Sequence, residues 1–433
     1  MRKKLLSVER VILAALIILL PTQTGKHFWP AFAYINGIRV DYLSPTLYCT
    51  DLLILALVLI WVMRKGHGHG KKLMTKRGAI GIGLSLLCIG LNTAGSTRPF
   101  LTLYAWAKLG IAASLFWYVK SEAVSILKSV HSFLPIALTL SSLLAIAQTV
   151  KQSSLGGPWY LLGERWFSLA TPGIATTQIW GRLFLRPYAT FPHPNALAGF
   201  ILASLLFMLG DSRRQKTIST GTMVTLGLST LAIALSFSQS AWIVTLLAAG
   251  VLLVRKFGKK AVPLLIIAAL VFFWTMKEFP LEKDSILLRQ IGSRAAITMI
   301  ESHTALGVGL GNFIPSLDFL EPRKSVIPSP FLFYQPVHNV FLLLGAEIGL
   351  LGLVGFVWLF GKGLSEASRK GMIGTASSLG VILLLGFVDH YWITLQQTRL
   401  LFIIILATAF RTTPKQSLHH QPNDRTLLKS HSR

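Results

Sequence analysis

With 433 residues, 52% of them apolar and only 13% charged, the chain holds far more apolar sequence than one soluble core requires, and a mean hydropathy of +0.60 excludes an ordinary soluble domain. The apolar residues lie in blocks of the length that a bilayer core demands of a helix, roughly 17 to 25 residues, so the sequence reads as an all-α, polytopic integral membrane protein. A formal charge of +26 would argue for nucleic acid in a soluble protein, but here the basic residues gather in short connections between apolar runs, as cytoplasmic loops require, and no nucleic-acid partner is expected.

Arg2, Lys3, Lys4 and Arg10 precede a first apolar run at 11–20, which has the look of a signal peptide. The small-x-small site Ala31-Phe32-Ala33 lies too far beyond it for cleavage, so the run is expected to stay as a first helix. Further runs follow at 47–62, 78–94, 100–119, 133–150, 196–209, 220–237, 241–254, 261–276, 340–360, 372–388 and 400–410, which makes roughly twelve helices. Cys49 and Cys88 have neither disulfide nor metal-ligand spacing and read as small core residues. His67 and His69 alternate with glycines in what reads as a flexible, solvated loop.

An even count puts both termini on one side. Most of the 42 Lys and Arg fall in the inside segments if the N-terminus is cytoplasmic, and two long loops, 151–195 and 277–338, then face outward. Residues 1–411 read as one transmembrane domain, and the polar stretch 412–433 as a disordered cytoplasmic tail.

The outward side carries Arg165, Arg182, Arg186, Arg289, Arg294, Arg323 and Arg399, where the positive-inside bias should thin them out. Any one of them serves equally well as a phospholipid anchor. Together they suit a lipid-linked diphosphate, because guanidinium groups bind phosphate oxygens bidentately and keep their charge. In Arg186-Pro-Tyr-Ala-Thr-Phe-Pro-His-Pro-Asn195 a fixed cation, His193 and an amide come just before an apolar helix, with Asn195 a favourable N-cap. His338-Asn339 repeats that arrangement at the mouth of the 340–360 run. The positive end of a helix dipole disfavours imidazolium and biases His338 toward its proton-accepting form, although a histidine that merely caps a helix would look the same.

Glu347, inside that run, should face the bundle interior and a basic or polar partner. Gly307-Val-Gly-Leu-Gly311 has no strand before it and no Lys-Ser after it, so it reads as a close backbone turn rather than a nucleotide loop. Asp389-His390-Tyr391-Trp392 and Gln396-Gln397-Thr398-Arg399 form a last polar island between two helices.

In this order, residues 186–200, the Gly307-Val-Gly-Leu-Gly-Asn-Phe313 segment that follows Arg289, and His338-Asn339 with Glu347-Ile-Gly-Leu-Leu-Gly352 resemble the superfamily of O-antigen ligases and O-antigen polymerases; the 389–399 island looks like a pattern of many bacterial members. The resemblance spans nearly the whole chain. It implies a glycosyltransferase of the GT-C type in the bacterial inner membrane, working at its outer face in cell-surface polysaccharide synthesis. Its donor would be an undecaprenyl-diphosphate-linked glycan and its acceptor a glycan, lipid or protein hydroxyl. The reaction would invert the anomeric centre and use no cofactor and no catalytic metal.

Carried over residue by residue, Arg186 matches the family arginine ahead of the His-Pro-Asn segment, and His338 the histidine that closes the large outer loop. Arg289 is the arginine 18 residues ahead of Gly307, with Arg294 the runner-up. The resemblance thus makes His338, Arg186 and Arg289 catalytic, and Arg294, His193, Asn195, Asn339 and Arg399 candidate substrate-binding residues. Two departures bear on donor contacts: Ser238-Gln239-Ser240 stands where many relatives have Ser-Arg, and Ser293 where they have Trp. The competing class is a transporter or flippase of the same lipid-linked glycan, for which a basic cavity would serve equally.

Overall fold

The computed structural model describes residues 2–66, 76–210, 219–277, 283–317 and 334–411. The loop around His67 and His69, Arg323 and the tail 412–433 lie outside the described residues.

The chain is mostly helical. Its longer helices are α1 (Arg2–Leu19), α2 (Cys49–Gly66), α3 (Lys76–Ala94) and α4 (Pro99–Lys151), then, beyond the single turn α5 (Pro158–Leu161), α6 (Pro194–Gly210), α7 (Thr220–Leu235), α8 (Gln239–Phe257), α9 (Val262–Lys277) and α10 (Lys283–Ser302). A short α11 (Phe313–Ser316) leads to α12 (Val340–Arg369), α13 (Ile373–Gly386), the turn α14 (Tyr391–Thr394) and α15 (Gln396–Ala409). Each of the apolar runs falls on one of these helices, and two of them, 100–119 and 133–150, share α4, whose backbone leaves helical geometry at Glu122.

Among the described residues, three helical segments are long and apolar enough to cross a membrane: Pro99–Lys151, Gln239–Leu270 and Val340–Arg369. Shorter apolar helices accompany them, including Pro194–Gly210, Thr220–Leu235, Ile373–Gly386 and Gln396–Ala409.

Helix α6 is apolar around its whole circumference, which calls for a central position, and it is buried on nearly every side. It packs on α13 so closely that a Cβ on Gly210 would lie 2.0 Å from the Gly374 Cα. Helices α1, α2, α7 and α15 gather around α4. In contrast, α3 and α9 expose apolar side chains such as Leu86, Leu87, Ile267 and Leu270, the surface that a lipid solvent tolerates. Cys88 is exposed on α3, not buried as its apolar surroundings suggested, because that helix packs on little besides α4.

The connections between helices hold more order than their composition announces. Between α1 and α2, strands β1 (Gly25–His27) and β4 (Thr46–Tyr48) pair antiparallel, and the hairpin of β2 (Tyr34–Ile35) and β3 (Ile38–Arg39) lies between them. In the 151–195 segment, β5 (Thr176–Ile179) and β6 (Arg182–Leu185) form a hairpin turned at Trp180 and Gly181, both at positive φ. Arg289 and Arg294 sit on the helix α10 within what the sequence presented as one long loop.

The glycine segment explains itself. Gly307, Gly309 and Gly311 all have positive φ, and the Val308 and Gly309 amides donate to the carbonyls of Ala346 and Glu347 on α12. Those carbonyls are available because α12 breaks at Gly349 (φ 67°), whose added Cβ would lie 2.2 Å from the Ala305 carbonyl oxygen; one at Gly307 would lie 2.4 Å from Glu347. Two backbones thus meet where no side chain fits. Asn92 closes the contact by donating to the carbonyls of Leu306 (2.7 Å) and Glu347 (3.0 Å). Glu347 does face the interior, at 7% exposure, but its carboxylate accepts from the Phe313 backbone amide instead of a basic side chain.

Candidate functional site

A cavity of about 2100 Å³ opens among the helices, above the roughly 300–1,000 Å³ of ordinary small-molecule pockets. Arg186, His193, Asn195, Arg289, His338, Asp389, His390 and Arg399 all line it. These residues come from segments far apart in the chain, so only the fold makes them neighbours.

The 186–195 stretch is held from behind. Gln148 of α4 accepts from the Tyr188 and Ala189 amides (3.0 and 2.7 Å) and donates to the Ala189 carbonyl (3.0 Å), while Gln397 donates to the Thr190 carbonyl (3.2 Å). So braced, the loop presents Arg186, whose Nε donates to the Ser236 carbonyl (2.7 Å) and whose Nη2 donates to Asn195 Oδ1 (2.8 Å). The amide end of Asn195 turns the other way and donates to Asp389 Oδ2 at 3.3 Å.

Asn195 therefore connects a cation to an anion. It is not the helix cap that its type suggested, since α6 already begins at Pro194; His193 fills that place, its Nδ1 accepting from the Asn195 amide at 3.1 Å.

At the second helix mouth the cap is Asn339, whose side chain accepts from the amides of Phe341 (2.9 Å) and Leu342 (3.0 Å) and also donates to the Phe387 carbonyl (3.0 Å). Because Asn339 satisfies the helix end, His338 does not have to. Among the described residues, its imidazole makes no hydrogen bond to protein. It packs edge-on to the His390 ring, 5.2 Å between centroids, and Tyr42 meets His390 from above at 5.6 Å.

Arg289 reaches in from α10 and donates through Nη1 to the Val388 carbonyl at 2.5 Å, next to Asp389. Arg294, five residues on, lies about 140° further round the same helix and does not line the cavity; it is exposed.

Burial, more than the charges around it, works against protonation of His338. Burial lowers its pKa and so does the nearby Arg289 cation, while Asp389 pulls the other way; the net shift is downward. His193 shifts down by desolvation and by Arg186, and burial holds His390 down to about 3. For Asp389, burial would raise the pKa, but His338, His390, His193 and Arg289 outweigh it and keep the carboxyl below its usual range. These directions favour the ionised form of Asp389 and the proton-accepting form of His338, with the guanidinium groups of Arg186 and Arg289 lining the same cavity.

Such a set can accept a proton at His338 and hold an anion at the arginines. The ligating atoms of His338, Asp389 and His390 also lie within 4.8 Å of one another, so these three residues could hold a metal ion.

The proximity of Asp389 and His390 to His338 was not readable from the chain, for 50 residues intervene. Asn92, Gln148 and Tyr42 also gave no signal, because a lone amide or phenol has no periodicity or spacing to mark it. The chain matches no protein-family model, and no curated protein is similar to it.

Proposed function

We propose that the protein is a polytopic glycosyltransferase of the bacterial inner membrane, crossing it about twelve times with both termini in the cytoplasm and the cavity at the outer face. It transfers or polymerises glycan from an undecaprenyl-diphosphate-linked donor onto an acceptor hydroxyl. The observation that carries this reading is the meeting of Arg186, Arg289 and an unbonded, proton-poor His338 in one cavity large enough for a glycan.

In the reaction, the acceptor oxygen attacks the anomeric carbon as the bond from that carbon to the diphosphate oxygen breaks. The bonding pair leaves with the polyprenyl diphosphate, where Arg186 and Arg289 stabilise the growing negative charge. The proton of the acceptor hydroxyl passes to His338. A single displacement inverts the carbon. Asp389, held by Asn195, faces the imidazolium that forms and stabilises it.

The experiment is transfer by the purified protein: a synthetic polyprenyl-diphosphate glycan and an acceptor should yield the extended acceptor and free polyprenyl diphosphate. Intact donor after prolonged incubation would move the reading to the transporter.

The three-ligand proximity at His338, Asp389 and His390 favours a second reading, in which a bound metal ion activates the acceptor hydroxyl. The two differ in one respect. Base catalysis by His338 predicts that prolonged dialysis against a chelator leaves the transfer rate unchanged, whereas metal catalysis predicts its loss and its return on adding a divalent ion.

A further inference from the structure

The same cavity has a second cationic corner, at Lys108 of α4 and Arg399 of α15. Lys108 is neutralised. Its ammonium bonds the buried Asp51 carboxylate and lies 4.7 Å from the centre of the Tyr48 ring.

Arg399 is not. Among the described residues it forms no ion pair; Nη2 donates to Gln396 Oε1 at 2.7 Å, Nη1 reaches the Ile393 carbonyl only at 3.4 Å, and Nε is buried with no hydrogen-bond partner. The nearby carboxylate offers no relief, because Asp51 Oδ2 already accepts from Lys108 and the Tyr48 amide, and Oδ1 from Gln396. A guanidinium does not escape such a position by losing its proton. A half-buried cation without a counter-ion costs folding free energy, and an anion entering the cavity would return that energy as affinity.

This corner is held by other residues than the imidazole cluster. Arg399 bonds Gln396 and Ile393, whereas Arg186 donates to Ser236 and Asn195 and Arg289 donates to Val388. The corner's lining also suits a sugar: the Tyr48 and Tyr104 rings and the Gln396 amide flank the guanidinium in the cavity wall.

We infer that Arg399, its Nε unbonded and its charge unpaired beside Tyr48 and Tyr104, forms an anion subsite for a carboxylate- or phosphate-bearing sugar of the glycan, distinct from the diphosphate site at Arg186 and Arg289. The sugar's membership of a transferred glycan rests on the glycosyltransferase reading; its binding does not.

The test is equilibrium binding to the full-length protein in nanodiscs of zwitterionic lipid, with a glucuronate-containing disaccharide and its neutral glucose counterpart as probes. The parent protein should bind the acidic probe at least about tenfold more tightly, with a preference that weakens in salt. Arg399→Gln should bind both alike, Arg399→Lys should keep part of the preference, and Arg186→Gln should keep all of it. Because the charge has no partner, Arg399→Gln should melt no lower than the parent; a lower melting temperature would mean that the charge is already compensated and would overturn the inference. Equal binding of both probes by the parent, or an undiminished preference in Arg399→Gln, overturns it as well. Displacement of the acidic probe by phosphatidylglycerol that itself binds only when Arg399 is present would make the corner a lipid head-group site and sink the sugar assignment. If no glycan transfer is found but the acidic preference survives, the glycosyltransferase reading fails and the subsite stands.

Discussion

Two regions of this molecule hold clustered charges, and they are built in opposite ways. In the network between α1, α2 and α4, Arg64 bonds both Glu9 (2.6 Å) and Glu122 (2.9 Å), Lys65 adds a second cation to Glu122 (3.1 Å), and Tyr118 and Trp61 also donate to Glu9 Oε1 and Glu122 Oε1. Two positive charges meet two negative ones, and the bonds tie α1 and α2 to the break in α4. In the cavity, among the described residues, Arg289 and Arg399 meet carbonyl and amide oxygens and no ion pair, and His338 makes no hydrogen bond. The first region spends its charge on structure. The second leaves charge and hydrogen-bonding capacity for something that enters.

The comparison can be broken at its strongest point first. Glu9→Ala removes one member of the balanced network, whose Glu9 and Arg64 are 3% and 8% exposed, and leaves the two cations Arg64 and Lys65 to share the single carboxylate of Glu122. A loss of about 3–5 kcal/mol is expected for such a deletion, read as a steep fall in melting temperature and in folded yield. A melting temperature equal to that of the parent would mean that the network is not what joins these helices.

In the cavity the expectation is reversed: stability holds and activity falls. Arg186→Lys and Arg289→Lys keep the charge but lose the planar fork, so transfer should drop by more than about tenfold, equivalent to about 1.4 kcal/mol of transition-state stabilisation, with little change in melting temperature. Parent-like turnover in both variants would reduce these arginines to anchors for lipid head groups.

The dependence on pH should be subtler. A base must be deprotonated to act, and the His338 pKa is lowered, so the rate should rise with pH through a midpoint below the ordinary histidine value of about 6.5 and level off above it. Asp389 is the group that resists this lowering. Asp389→Asn should therefore move the midpoint to still lower pH while reducing the plateau; a midpoint moved upward would show that the carboxylate does not act on His338.

Much of this contrast could be read from the chain before its fold was known. Hydropathy marks the helices because a bilayer core imposes a length on them, and the glycine segment announces a close backbone turn because only glycine tolerates one. Arg186, Arg289 and His338 stand out as polar groups at the borders of apolar runs. What could not be read is which of them face one another. Arg289 and Arg294 differ by 140° of helix rotation, which matters only once α10 is known to be a helix packed over α12. The unpaired state of Arg399 is a statement about what is absent around it, and no local pattern encodes that. The strands of the 21–48 segment depend on a pairing of Gly25 with Tyr48 that runs across more than twenty residues with little alternation of apolar and polar side chains.

The measurement that bears most directly on the central claim separates binding from chemistry at His338. Donor affinity and transfer rate should be determined side by side for the parent and for His338→Ala, with the synthetic polyprenyl-diphosphate glycan. A general base contributes about 10² to 10⁴ in rate, so transfer should fall by that factor. Donor affinity should stay within a few-fold of the parent value, because the proposed mechanism assigns the diphosphate to Arg186 and Arg289. Transfer at the parent rate, or a loss of donor binding as large as the loss of rate, would contradict the account.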